Sequence, residues 1–153
     1  MSKVRVAAPP SRQLGVTLVE VLVAVLITAT GVLGAAALQL NSVKFNQAAN
    51  TRSAAVFLAS DMADRLRANR ALALGGSYDL TMEATIPKGN AINLVDQREW
   101  LTELGLRLPS GDGSISRDDT VFTISVRWSE ARLSGTREDG VGDLETFVFV
   151  TEL

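Results

Sequence analysis

From Arg12 to Leu40 the chain reads RQLGVTLVEVLVAVLITATGVLGAAALQL, and its architecture turns on this segment. Between Val16 and Leu38 every residue is uncharged except Glu20, and as a helix the run crosses a bilayer core of about 30 Å. Residues 1–14 carry Lys3, Arg5 and Arg12 and no acid, which sets that end on the cytoplasmic side of a membrane. A charge within the hydrocarbon costs about 2.5–3.5 kcal/mol on insertion scales and is retained for function. Glu20 therefore calls for a physical reason.

Three kinds of segment fit the pattern. A secretory signal peptide has an apolar core of about 7–15 residues and ends in small residues such as Ala35 and Ala37, but this run is longer and holds an acid. An uncleaved signal anchor accounts for the length and leaves Glu20 unexplained. The third rests on a likeness. LGVTLVEVLVAVL closely resembles the class III signal of type IV pilins and type II secretion pseudopilins. That resemblance implies cleavage after Gly15, N-methylation of Val16, and an assembly role for Glu20, with Thr17 and Leu18 in the usual Thr-Leu positions. Val16 stands where the family most often has Phe. Glu20, one helical turn from the new α-amine, would neutralise the amine of a neighbouring subunit and so select one axial register between packed helices.

Composition narrows the chemistry. The 153 residues include no Cys and no His, which removes disulfides, thiol nucleophiles and the commonest general base and metal ligand. Lys occurs only at Lys3, Lys44 and Lys88, and the acids cluster no further than Asp118-Asp119 and Glu138-Asp139. The expectation is no enzyme, no catalytic residue, no metal and no cofactor. The net charge is −2, and the arginines are scattered rather than striped with aromatics, so no nucleic-acid partner is expected.

No Pro occurs between Ser11 and Ile86, and helix formers continue to Leu74. A single helix from Val16 to Leu74 is expected, about 88 Å long, ended by Gly75-Gly76. Gly31 and Gly34, with the small-residue spacings Thr30–Gly34 and Gly31–Ala35, permit close helix approach or local unwinding, and equally reflect the general frequency of Gly in membrane helices. Further on, Ala55, Leu58, Met62 and Leu66 form an apolar stripe with Phe57 beside it, while Asp61–Arg65 and Asp64–Arg67 are spaced to pair on the polar face. The stretch DMADRLRANRALALGG resembles the end of the spine helix in minor pilins of the PilV type. On that resemblance Asp61, Arg65, Arg67 and Arg70 are candidate contacts between neighbouring subunits.

Residues 77–153 are richer in Gly, Thr and Asp. Asp96 and Glu99 precede Trp100, Leu101 and Leu104 in a capping-box-like arrangement, predicting a short helix that ends near Gly105. TVFTISVRWSE alternates, with Phe122, Ile124, Val126 and Trp128 on one face, and predicts a half-buried strand with Trp128 in the core and Arg127 exposed. DLETFVFVTEL predicts a second strand, and one or two short strands are expected near Tyr78 to Ile86. Arg132 to Gly142 reads as a hairpin loop. SGDGSISRDD, Ser110 to Asp119, lacks the ligand spacing of a calcium loop and reads as a polar turn.

The expected organisation is a leader at 1–15, a membrane and assembly half of the spine at 16–38, a periplasmic amphipathic half at 39–76, and a β-sheet head at 77–153. The fold class is α+β, pilin-like, a long N-terminal helix with a small antiparallel sheet packed on its second half. The resemblance implies a structural minor pilin, inner-membrane before assembly and in the pilus, at its tip, afterwards. Its partners would be the prepilin peptidase/methyltransferase, the major pilin, other minor pilins and the inner-membrane assembly platform. The major pilin's cysteine-bounded C-terminal loop is missing, which points to a minor subunit. A minor pseudopilin of a type II secretion system shares the same signal and spine, and a signal-anchored periplasmic binding module remains as an alternative of another class.

Overall fold

The computed structural model describes residues 15–130 and 144–153. The leader positions 1–14 and the loop expected at 132–142 lie outside the described residues. The chain divides into two units, Met1–Asn41 and Ser42–Leu153. Its elements are helices α1 (Leu18–Ala68), α2 (Arg70–Leu74) and α3 (Ile92–Arg107), then strands β1 (Asp112–Asp118), β2 (Val121–Ser129) and β3 (Leu144–Glu152).

Within the first unit every described residue is exposed, and α1 contains a stretch long and apolar enough to cross a membrane. The hydroxyls of Thr28 and Thr30 donate to carbonyls one turn back, Ala24 O at 2.7 Å and Ile27 O at 2.9 Å. Their polarity is thereby spent on the helix itself, and Glu20 remains the one ionisable group among the described residues of this unit. α1 runs unbroken through Gly31 and Gly34, and nothing lies within 4 Å of where a Cβ would sit on either.

In the second unit the helix and sheet share one core. Two rows of α1 at i, i+4 spacing enter it: Leu58, Met62 and Leu66, and beside them Ala55, Ala59 and Ala63, all but closed to solvent. The stripe expected from Ala55, Leu58, Met62 and Leu66 is widened by Ala59 and Ala63. β2 lies in the middle of a three-stranded antiparallel sheet of order β1-β2-β3, running Asp112↔Arg127 to Asp118↔Val121 on one side and Val121↔Glu152 to Ser129↔Leu144 on the other. Phe122, Ile124, Val126 and Trp128 are buried as the alternation predicts, and Phe147 and Phe149 of β3 pack against them. The architecture is α+β, a long N-terminal helix with an antiparallel sheet packed on it.

Several sequence expectations give way. The spine helix does not reach Leu74: it breaks at Asn69, whose backbone turns to φ −114°, ψ 39°. The Asn69 side-chain amide donates to Arg65 O and Asp96 Oδ2, each at 3.3 Å, and its carbonyl becomes the first acceptor of α2 from Leu72 and Ala73. Asparagine offers the backbone a side-chain alternative to the helical ladder, and here a tertiary partner makes the alternative win. α2 then ends as expected at Gly75-Gly76, where Gly76 at φ +78° lets Ser77 N–H reach back to Leu72 O. The α1 start is likewise Leu18 rather than Val16.

The second correction concerns α3, which is longer at both ends than predicted. Its N-cap is Ala91 with no side-chain cap, Asp96 and Glu99 lie inside the helix, and Gly105 sits on an open face without ending it. Third, the strands sought near Tyr78 to Ile86 reduce to one bridge, Leu80 with Ile115. Fourth, the polar turn at Ser110 to Asp119 is in fact strand β1. Its strand propensity is poor, but Ile115 is buried, and Gly113 leaves room for Trp100, whose Cη2 lies 2.4 Å from where a Cβ would be. Tertiary fit rather than local preference makes it a strand. Arg127, expected exposed, is half-buried against Glu83 and Asp112.

Candidate functional site

Two groups of residues emerge from the fold, one in each unit. In the first, Thr17 caps α1: its Oγ1 accepts the Glu20 N–H at 3.3 Å and its carbonyl accepts Val21 N–H at 3.2 Å. Thr17 and Glu20 have the spacing of a capping box, and Glu20 lies in the first turn, where the helix dipole favours an anion. Gly15, Val16, Thr17, Leu18 and Glu20 are all exposed. Among the described residues Glu20 has no cationic partner, and the surface downstream of it is apolar and uncovered. A carboxylate so placed can accept a cation.

The second group surrounds Arg65. Its Nε donates to Asp61 Oδ2, and its Nη1 to Asp96 Oδ1 and Glu99 Oε2, all at 3.0 Å. Asp96, 7% exposed, also accepts the Tyr78 hydroxyl at 2.5 Å and the Asn69 amide. One carboxylate thus joins α1, the Asn69 break, the Tyr78 loop and α3. Burial works against the guanidinium of Arg65, but its hydrogen bonds to Glu99, Asp61 and Asp96 outweigh that and raise its pKa. Burial, helped by the Asp96 hydrogen bond and charge, pushes the Tyr78 phenol well above the ordinary tyrosine value, so it stays a neutral donor.

The neighbouring arginines tie the spine to β3. Arg67 bonds Asp64 and Thr151 Oγ1, each at 2.7 Å, and Arg70 donates to Leu153 O at 3.0 Å. All four residues singled out as candidate inter-subunit contacts, Asp61, Arg65, Arg67 and Arg70, therefore have partners within the chain. Asn69 and Tyr78 were not singled out from sequence as site residues, and Asp96 was read only as a helix cap. A signal existed for the last: Asp96, Trp100 and Leu104 are spaced i, i+4, i+8, so the acid shares the buried face of α3 and needs donors there. A shallow groove beside the network, lined by Phe57, Leu58, Asp61, Glu99, Glu103 and Arg107, has Arg107 stacked 6.0 Å from the exposed Phe57 ring. The chemistry of the arrangement is that of a closed ion-pair network.

Comparison with known families bears on both groups. The prokaryotic N-terminal methylation motif matches residues 10–36, and the Tt1218-like family, described as type IV pilin Tt1218, matches residues 37–94. The second match takes in the rest of α1, α2 and the first residues of α3, including Asp61 to Arg70 and Tyr78. No curated protein and no solved structure matches the chain. With a methylation motif on the capped, apolar start of α1 and a type IV pilin match adjoining it, the chain is a type IV prepilin-like protein.

Proposed function

We propose that this structural protein is a minor pilin of the PilV-like class, acting in pilus assembly and initiation as part of a priming or tip complex. The observation that carries the proposal is Glu20, the one carboxylate on an otherwise apolar, uncovered helix surface, without a cation among the described residues. Cleavage after Gly15 by the prepilin peptidase and methylation of Val16 would leave a cationic amine one turn away. Pairing of that amine with Glu20 of a neighbouring subunit offsets the cost of an unpaired charge, about 2.5–3.5 kcal/mol in the membrane centre, and fixes the stagger between packed spines. On this reading residues 1–15 are the leader and 16–38 the membrane and assembly segment, 39–76 the periplasmic part of the spine, and 77–153 the head. The protein waits in the inner membrane with the head in the periplasm before it joins the major pilin and other minor pilins through the assembly platform.

The internal partners of Asp61, Arg65, Arg67 and Arg70 favour a part in holding head to spine over contacts with neighbours. The assembly role tests directly. The protein taken from membranes should begin at a methylated Val16 by intact mass and N-terminal sequencing, and Glu20→Ala should be processed but fail to enter pili. Normal incorporation of Glu20→Ala, or a chain beginning at Met1 or Leu38, would overturn the proposal. Deletion of the gene should remove surface pili and twitching; loss of exoprotein secretion instead would assign the chain to a type II secretion system.

A further inference from the structure

The two edges of the sheet are unlike. At β1 the outer edge is occupied: Leu80 exchanges both backbone hydrogen bonds with Ile115, at 2.9 and 2.8 Å, and Glu83 N–H bonds the Asp112 carboxylate at 2.7 Å. At β3 it is open. Leu153 N–H bonds Thr120 O at 2.9 Å, and the alternation of an antiparallel ladder then turns the odd-numbered residues of β3 toward β2. The backbone groups of Leu144, Thr146, Val148, Val150 and Glu152 point the other way, and no described residue bonds them. β3 is nine residues long, holds no Lys, Arg or Pro, and exposes Leu144, Val148 and Val150 on its outer face. Sheet edges in soluble proteins are ordinarily blunted by charged residues and proline, by bulges or by a covering segment; among the described residues this one has only the two glutamates near its ends.

We propose that the outer edge of β3 accepts a strand from a different subunit, adding a fourth strand to the sheet. A second copy of this chain is a poor donor for two reasons. Head-to-tail pairing would need a free β1 edge, and Leu80 holds the middle of it. Antiparallel β3–β3 pairing reverses the direction of α1 between the two copies, whereas copies that enter one membrane from the same side carry α1 in the same direction. The fitting donor is an extended segment with alternating apolar residues to extend the rows of Val148 and Val150 on one face and Phe147 and Phe149 on the other. A basic residue at one end would complement Glu152, which has no cation among the described residues, whereas Glu145 already pairs with Arg52 at 3.6 Å. Such a subunit takes one neighbour on its sheet and cannot propagate the sheet through copies of itself. The inference rests on the assembly reading only for the statement that the donor is another subunit.

The test is amide hydrogen exchange on the full chain in detergent with a synthetic peptide as long as β3, alternating threonine and valine with a lysine at each end. Exchange at Thr146, Val148 and Val150 should slow by an order of magnitude on adding the peptide, while β1 is unchanged. Val148→Pro removes an outward N–H without touching the ladder to β2 and should abolish the effect; Val148→Lys, which keeps the backbone, should weaken it. No protection at saturating peptide overturns the proposal, as does equal protection of β1. Protection without peptide that grows with protein concentration puts a second copy on the edge and overturns the choice of donor. None of these outcomes depends on whether Glu20→Ala assembles, so the two readings fail separately.

Discussion

Replacing Asp96 by alanine should be among the most damaging single changes available in the head, and the cost can be built from its donors. The Tyr78 hydroxyl, fully buried, loses its acceptor and with it about 1–3 kcal/mol. Arg65 loses one charged bond, but Asp61 and Glu99 still neutralise it, so its share is smaller than for an orphaned cation. Asn69 loses the contact that holds the break between α1 and α2. Together these come to about 3–5 kcal/mol, the range for removing one partner of a buried charged network and a large part of a small domain's stability. The natural assay is urea unfolding of the full chain in detergent followed by tryptophan emission, because the only two tryptophans, Trp100 and Trp128, both lie in this core. At an m-value of about 2 kcal/mol per molar the midpoint should fall by about 2 M. Tyr78→Phe alone should cost about 1–2 kcal/mol, and the double variant should be little worse than Asp96→Ala. A loss below about 1 kcal/mol for Asp96→Ala, or strict additivity of the pair, would refute the idea that one carboxylate joins these elements.

Tyr78 is the only tyrosine, so the tyrosinate absorbance band reports it alone. In the folded chain its pKa is raised from the ordinary 10.0, while in the unfolded chain it ionises near that value. The stability it supports is present below pH 10.0 and declines as pH rises beyond it; tyrosinate should appear only with unfolding, and Tyr78→Phe should make the alkaline decline shallower. Gly113→Ala would place a Cβ 2.4 Å from Trp100 Cη2, on a ring held by its Nε1–H bond to Leu58 O at 2.9 Å. It should cost about 1–3 kcal/mol in the same urea assay and shift the folded-state tryptophan emission.

What could be read in the sequence divides by how local the cause is. β2 was legible because strict alternation over a long run has one meaning, a half-buried strand, and the burial of Phe122, Ile124, Val126 and Trp128 needs nothing beyond it; β3 was legible from its short apolar run of Phe and Val. β1 was illegible because its cause lies elsewhere in the chain: DGSISRD is a strand only because β2 pairs with it and Trp100 fills the space over Gly113. The same holds for the end of the spine, where Asn69 interrupts a helix that every neighbouring residue favours because Asp96, well downstream, offers its amide a partner.

The two carboxylates on apolar faces make the point most sharply. Glu20 and Asp96 each stand where hydrophobic periodicity leaves no place for a charge, and each demands a donor on physical grounds. Reading Asp96 as a helix cap supplied that donor too cheaply, from the adjacent backbone. The fold supplies it from three side chains on other segments and leaves the network closed, so Asp96 is answered within the chain. Glu20 shares its first turn with a capping threonine, yet its carboxylate has no such answer among the described residues. A charge that folding satisfies is structural; one that folding leaves waiting on an uncovered apolar surface is a specification for something outside the chain. That difference, rather than the presence of an acid in an apolar run, is what supports the assembly role proposed for Glu20.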